Sequence, residues 1–354
     1  MTSQDPKPKK NLIIDTDLFS DVDDAGALLL ASTSPHINLL GIQVNKPSTY
    51  SVLAASAIVS YYTPSPHKAI PIGVFRHPTR DGSVIPLPDT TFLDVVSWHL
   101  GEFASKIAHQ FTSPSSPDSV TQFRPSTIPW GHADEDAWDA LPLYRKLLSE
   151  ADDASITIAS IGFLDNLSLL LDSDPDAFSP LTGRQLISQK VAELVVMGGR
   201  YPAGRSWNFF GSDPDSTHHN DGWKGQVVYV SDEVGEKVLT GGELVKKGPK
   251  GDPVGRAYGY YAYGEARPSW DPVAVLYAID GLGELFKYDE RYGHGRNWVS
   301  EQDGSNRWVW EVEVKNQFVL ALKADHEAVA REIDRLFLKG ALSAAVQRAG
   351  PMSL

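Results

Sequence analysis

Apolar residues along this chain fall in short continuous runs separated by polar loops and by stretches of helical composition. Asn11 to Ile14 is such a run, and it ends abruptly in Asp15. Short unbroken apolar runs suit strands buried on both faces of a parallel sheet. The pattern then predicts a helix over Ala25–Ser32, a strand over Ile37–Val44, a helix over residues 51–62 and a strand over Ala69–Val74. It returns as a strand over Ser155–Ile161, a helix over Leu164–Leu171, and strands over Val191–Met197 and Val227–Val230. Strands alternating with helices at this spacing predict βαβ units. The expected fold class is therefore α/β, with a mostly parallel central sheet flanked by helices in a Rossmann-like open arrangement.

Two segments interrupt the pattern. Residues 112–129 are rich in proline and serine, and residues 241–255 are rich in glycine with two prolines, so both read as surface loop insertions. Length alone would allow about two domains. Apolar segments continue on both sides of each insertion, and we read residues 11–354 as one domain preceded by a disordered stretch over residues 1–10.

Composition narrows the function. Of 354 residues, 42% are hydrophobic and 22% charged, enough for a substantial core. The net charge of -13 argues against a nucleic-acid partner, which needs a basic face. No apolar run approaches the ~18–20 residues of a membrane span. Cysteine is absent, which excludes disulfides, thiolate nucleophiles and cysteine-ligated zinc. The polar Met1–Lys10 stretch has no apolar signal region, so the expected location is cytoplasmic, with a processed secreted form left open.

The densest chemistry lies in IIDTDLFSDVDDAGALLL, residues 13–30, where Asp15, Asp17, Asp21, Asp23 and Asp24 follow the first strand directly. Ligands of open parallel sheets bind at the carboxyl ends of strands. Carboxylates this close repel unless a cation or hydrogen bonds offset them, and a hard divalent cation such as Ca²⁺ takes oxygen ligands of this kind. Asp23 or Asp24 could instead be helix caps. Capping would account for one or two carboxylates; five point to a metal or catalytic site.

DTD followed by DVDDAGAL resembles the N-terminal signature of the inosine/uridine-preferring nucleoside hydrolases, whose usual form, DxDPGxDD, is two residues shorter between its acidic pairs. GIQVN, ITIASIGFLDNLSLLL, ELVVMGGRYPAGRSWNFFGSDP and SWDPVAVLYAI resemble later segments of that family in the same order, from about residue 11 to about 280. The SIGFLDNLS and LVVMGG segments are like those of fungal members.

The resemblance implies a nucleoside-hydrolase-like fold and Ca²⁺-dependent hydrolysis of the N-glycosidic bond of a ribonucleoside or related N-riboside, with a water held by the metal as nucleophile. It implies that Asp17 is both metal ligand and general base, and that Asp24, the backbone carbonyl of Ile161 and Asp271 complete the ligand set. Asp23, Asn45 and Asn208 would contact the ribose, with Asp21 an alternative to Asp23 because of the longer loop. Members are often dimers or tetramers, which makes a homo-oligomer an open expectation. Without the resemblance, Asn45 reads equally well as a turn residue, Asn208 as a buried amide, and Asp271 before Pro272 as a helix cap.

Two positions depart from the family. Ser206 stands where a Glu usually serves the 5′ side of the ribose, with Arg205 beside it. Trp270 stands where purine-acting members place a base-protonating His. An indole N–H cannot protonate a leaving group at neutral pH, but the ring can stack on one. Tyr201, His218 and His219 are the alternative acids. The adjacent His218 and His219 do not by themselves make a zinc site, and Trp308 and Trp310 read as strand packing. Two competing readings remain: a catalytically weak or inactive ribose- or nucleoside-binding protein, and a metal-dependent phosphatase, against which the DVDDAGAL continuation argues.

Overall fold

The structure, a computed structural model, describes residues 9–19, 21–63, 69–77, 83–87, 103–114, 128–212 and 223–349. His218, His219, most of the 112–129 insertion and residues 1–8 lie outside the described residues.

Fourteen strands are found among the described residues. They are β1 (Lys10–Thr16), β2 (Ile37–Val44), β3 (Ile72–Val74), β4 (Trp138–Asp139), β5 (Ile156–Ser160), β6 (Val191–Met197) and β7 (Ala203–Arg205). The remainder are β8 (Gln226–Val230), β9 (Leu239–Thr240), β10 (Arg267–Pro268), β11 (Phe286–Tyr288), β12 (Gly295–Val299), β13 (Ser305–Trp310) and β14 (Gln317–Leu322). Nine of them form the main sheet in the order β4-β3-β2-β1-β5-β6-β8-β14-β11. Every neighbouring pair is parallel except β11–β14 at one edge. The chain winds outward from β1 to β4, then crosses to the other side of β1 and continues through β5. The strand order therefore reverses between β1 and β5, and such a switch point opens a crevice at the carboxyl ends of the strands.

Alternation along β1 separates the two faces of the sheet. Leu12 and Ile14 join one apolar cluster and Ile13 joins the other, because successive side chains of a strand point to opposite sides. The first cluster packs the helices Asp23–Thr33, Thr49–Tyr62 and Trp270–Asp280 onto the sheet; the second packs Ala140–Ser149, Asp165–Leu171 and Gly183–Lys190. Among the described residues no helix is long and apolar enough to cross a membrane.

Several predicted boundaries move, each for a local reason. The first strand runs on to Thr16, because Asp15 is paired on both sides, with Gln43 and Ser160. Two-sided backbone pairing outweighs the presence of a carboxylate. The third strand begins only at Ile72, since Pro71 has no N–H to donate to a ladder. The glycine-rich stretch read as a loop over 241–255 instead holds a helix, Gly242–Lys247, and the first turn of another, Pro253–Ala262. Trp308 is buried against Tyr201 and Tyr292, while Trp310, at the end of the same strand, is exposed.

Asp252 caps the Pro253–Ala262 helix by accepting from the Gly255 N–H at 2.7 Å, and it also accepts from the Tyr62 hydroxyl at 2.6 Å. Burial raises its carboxyl from 3.8 to about 6, although both hydrogen bonds oppose the shift. A carboxyl raised in the fold favours the folded state while protonated. That contribution is complete below 3.8 and is lost as pH rises through about 6. Asp252→Asn keeps an acceptor at the cap without the charge. Its thermal midpoint should gain on the wild type between pH 4 and pH 7, by the equivalent of roughly 2–3 kcal/mol. A midpoint difference that stays flat across this range would contradict the assignment.

Candidate active site

The carboxyl end of β1 carries two acidic residues in different surroundings. Asp15 is fully buried and accepts from the Asn45 amide at 2.7 Å, the Tyr144 hydroxyl at 2.7 Å and the Asn166 amide at 3.2 Å. It thereby ties β1 to residues following β2 and to two helices on one face of the sheet. Burial is the largest influence on its carboxyl and pushes it up to about 7 against those three donors. Asn45, expected beside the ribose, is turned onto Asp15 and does not line the cavity described next.

Asp17, two residues on, lines a cavity of about 360 Å³ at the switch point. Its floor is acidic. Carboxylate oxygens of Asp23, Asp24 and Asp271 lie within 4.8 Å of one another, and all three residues are buried. Asp23 and Asp24 open the helix Asp23–Thr33, whose N-cap position is Val22, so neither is the cap residue. Asp24 accepts from the Thr16 hydroxyl, and Asp23 accepts from the Asp271 backbone N–H at 3.0 Å. Asp271 lies in the first turn of the Trp270–Asp280 helix, after the N-cap Ser269. It too is a first-turn residue and not the cap.

Burial raises all three carboxyls well above their ordinary range, and their mutual repulsion with Asp17 and Asp21 adds to it. No Lys, Arg or His is among the described residues that line the cavity. Asp21 also faces the cavity, but it pairs with Arg267 at 2.6 Å, outside the group of three. The longer loop thus places Asp23 in the group and gives Asp21 a cation of its own. Asp17 is adjacent but not one of the three whose oxygens meet within 4.8 Å.

Ile161 lines the cavity from the end of β5, its N–H bonded to the Asp15 carbonyl at 2.7 Å. The next residue must be glycine for a packing reason. A Cβ on Gly162 would collide with the Asp17 backbone nitrogen and fall 2.7 Å from the Asn45 amide nitrogen.

The opposite wall is built from β6, the short helix Trp207–Phe210 and the start of the short helix Asp232–Gly235 after β8. Asn208 lines it and donates to the Met197 carbonyl at 3.0 Å. Trp207 and Trp270 supply aromatic surface, and the Trp270 indole N–H is bonded to the Asp232 carbonyl at 2.8 Å. Ser206 donates to the Asp232 carboxylate at 2.6 Å. Tyr201 packs half-buried among Tyr229, Tyr292 and Trp308 and does not line the cavity. Asp232 and Trp207 were missed in the sequence. Asp232 stands two residues past the end of β8, as Asp17 stands just past β1, and that placement was the available signal.

Gly162→Ala should therefore displace the backbone at Asp17 and lower kcat/KM on any substrate of this cavity by about 10²-fold, the cost of a ~1 Å misplacement. The far-ultraviolet circular dichroism should stay unchanged. An alanine variant with wild-type kinetics would show that the close approach does not fix Asp17.

Similarity to known proteins bears on this geometry. The family model for inosine-uridine preferring nucleoside hydrolase matches residues 12–331. No curated protein matches the chain. Among solved structures, the chain is similar to an inosine-uridine preferring nucleoside hydrolase from Bacillus anthracis at 18% identity and a TM-score of 0.63, covering 93% of this chain and 99% of that one. It is similar to a plant nucleoside hydrolase at 17% identity and a TM-score of 0.60, covering 94% and 99%. It is also similar to the type III effector protein XopQ complexed with adenosine diphosphate ribose, at 12% identity and a TM-score of 0.59, covering 96% and 95%. At these identities the structural likeness carries the fold, and the family match carries the membership. The chain belongs to the inosine-uridine preferring nucleoside hydrolase family, enzymes that hydrolyse N-ribosidic bonds.

Proposed function

We propose that the protein hydrolyses the N-glycosidic bond of a ribonucleoside or related N-riboside, and that Ca²⁺ is its cofactor. The observation that carries this reading is the buried group of Asp23, Asp24 and Asp271, with oxygens within 4.8 Å, beside Asp17 in one cavity. Calcium–oxygen distances are ~2.3–2.6 Å, so oxygens on one ion lie at most about 5 Å apart, and the group fits. All the donors are oxygen, which suits a hard cation better than zinc. Asp17, Asp24, the Ile161 carbonyl and Asp271 would hold the ion, and the position of Asp23 supports adding it to the set. When bound, such a cation offsets the carboxylate charge, engages sugar hydroxyls and lowers the pKa of water.

The chain's own residues supply the remaining steps. Water adds to the anomeric carbon as the C–N bond breaks, and its electron pair leaves with the base. Asp17 takes the proton of the attacking water. Positive charge develops on the sugar along an oxocarbenium-like path and is favoured by the surrounding carboxylates. Asp23 and Asn208 orient sugar hydroxyls, while Trp207 and Trp270 offer stacking surface to the departing base. We also propose that residues 11–354 form one domain, since one sheet takes strands from Lys10–Thr16 through Gln317–Leu322. Ribonucleoside salvage in the cytoplasm is the setting this activity would serve, with a homo-oligomer as its assembly.

A second reading, a weak or inactive nucleoside-binding protein, is favoured by one observation. The Trp270 N–H is committed to a backbone carbonyl, and no His, Lys, Arg or Tyr is among the described residues lining the cavity. Release of free base separates the two readings.

Exhaustive chelation should abolish turnover, and added Ca²⁺ should restore it and raise the thermal midpoint, as ligand binding to the folded state requires. Asp17→Ala should lower kcat by about 10²–10⁴-fold while the protein stays folded. Turnover that survives chelation would sink the calcium assignment.

With no His, Lys, Arg or Tyr among the described residues lining the cavity, a nitrophenyl riboside should be cleaved with kcat/KM at least about 10²-fold above that of inosine, the lower bound of a general acid's contribution. Equal efficiencies would mean that a competent acid acts from another position.

A further inference from the structure

Two cations stand just behind the acidic floor, and the proposed chemistry uses neither. Lys46 follows Asn45 at the exit of β2, and the Asn45 N–H is bonded to the Thr16 carbonyl at 2.9 Å. Lys46 and Asp17 therefore leave neighbouring strands side by side, where strand axes are ~4.8 Å apart. Phe163 stands at the exit of β5, on the other side of β1. The Lys46 ammonium lies 3.7 Å from the centroid of its ring. To reach that ring the side chain crosses the end of β1, past Asp17. Burial pulls the Lys46 ammonium below its ordinary range, against the attraction of Asp17 and Asp165.

The second cation is Arg267, on β10. It pairs with Asp21 at 2.6 Å and lies 5.2 Å from the centroid of the Tyr261 ring. Burial works against its charge, but Asp21, Tyr261 and Asp23 outweigh burial and raise the guanidinium above its ordinary value. Neither Lys46 nor Arg267 lines the cavity. Each is seated over an aromatic face, which attracts a cation without neutralising it.

Resting on the proposed calcium site, we infer that Lys46 and Arg267 are built-in counter-cations: they keep the carboxylates assembled when no metal is bound and weaken the site's grip on Ca²⁺. The repulsion among Asp17, Asp21, Asp23, Asp24 and Asp271 must be offset in the metal-free protein. Both cations do this from outside the group that would touch the metal. A divalent ion entering the floor then meets the same two positive charges. At a separation of about 8 Å, a unit charge facing a divalent ion changes affinity about fivefold even at the dielectric of water. Arg267 has a further effect, because its loss would free Asp21 as an additional acceptor in the cavity. The site is thereby set for reversible exchange of the metal rather than permanent retention.

The test measures Ca²⁺ affinity by titration calorimetry, and the thermal midpoint in excess chelator, on the full chain at low ionic strength. Lys46→Met and Arg267→Met remove the charge but keep an apolar stem; Lys46→Gln and Arg267→Gln repeat the comparison with polar side chains. Each should bind Ca²⁺ about fivefold or more tightly than the wild type, and should unfold at a lower temperature in chelator. The gain in affinity should shrink as salt is added, because the charges are screened. Lys46→Arg and Arg267→Lys keep the charge and should stay within about twofold of the wild type. Side chains that only pack would give the opposite sign: a loosened site binds Ca²⁺ more weakly, and that result overturns the inference. Neutral variants that bind Ca²⁺ as the wild type does overturn it and leave the calcium site standing. A wild type that binds no Ca²⁺ overturns both.

Discussion

Like charges held out of water at short range set the terms for the rest of this molecule. Two unit charges 4.8 Å apart repel by roughly 3–4 kcal/mol at the effective dielectric suited to protein sites. Three such pairs approach the whole stability of an ordinary domain, about 5–15 kcal/mol. Asp23, Asp24 and Asp271 cannot all be ionised there unless a cation joins them, and their raised carboxyls express the same conflict. The surrounding fold supplies partial relief. The Thr16 hydroxyl and the Asp271 N–H each donate to one of the carboxylates, and two helix N-termini point their positive ends at the group.

What keeps the group assembled is the layer beneath it. Asp15 draws in Asn45, Tyr144 and Asn166, so the ends of β1 and β2 and two helices are fastened to one side chain that does not line the cavity. Gly162 lets β5 close against the Asp17 backbone. The far wall is braced separately, through Asp232, Ser206, Arg200 and Trp270. The two sides of the cavity thus rest on different hydrogen-bond networks.

Much of this was legible in the sequence. Runs dominated by apolar residues identified β2, β5 and β6 with nearly correct bounds, because strands buried on both faces over most of their length have little freedom in composition. The acidic loop after β1 was legible because five carboxylates in ten residues have no cheap structural explanation. The partners of individual side chains were not legible. Asn45 follows β2 and Asp23 opens a helix, and each is turned by a partner that local pattern does not reveal: Asn45 by Asp15, 30 positions before it, and Asp23 by Asp271, 248 positions on. Asp232 likewise takes its meaning from partners outside its own segment, Ser206 and Trp270. β12 and β13 were missed because they are half-buried: they alternate, with Arg296 and Arg307 among the outward positions, and so lack unbroken apolar runs.

The main sheet ends in very short strands, two residues at β4 and three at β11. An open edge recruits another chain only when it presents a row of unpaired backbone groups long enough to template a new ladder. Neither margin offers such a row. Copies of this protein that meet at these margins would do so side chain against side chain rather than by extending the ladder. Their contacts are then free to diverge in sequence without disturbing the backbone pairing of the sheet.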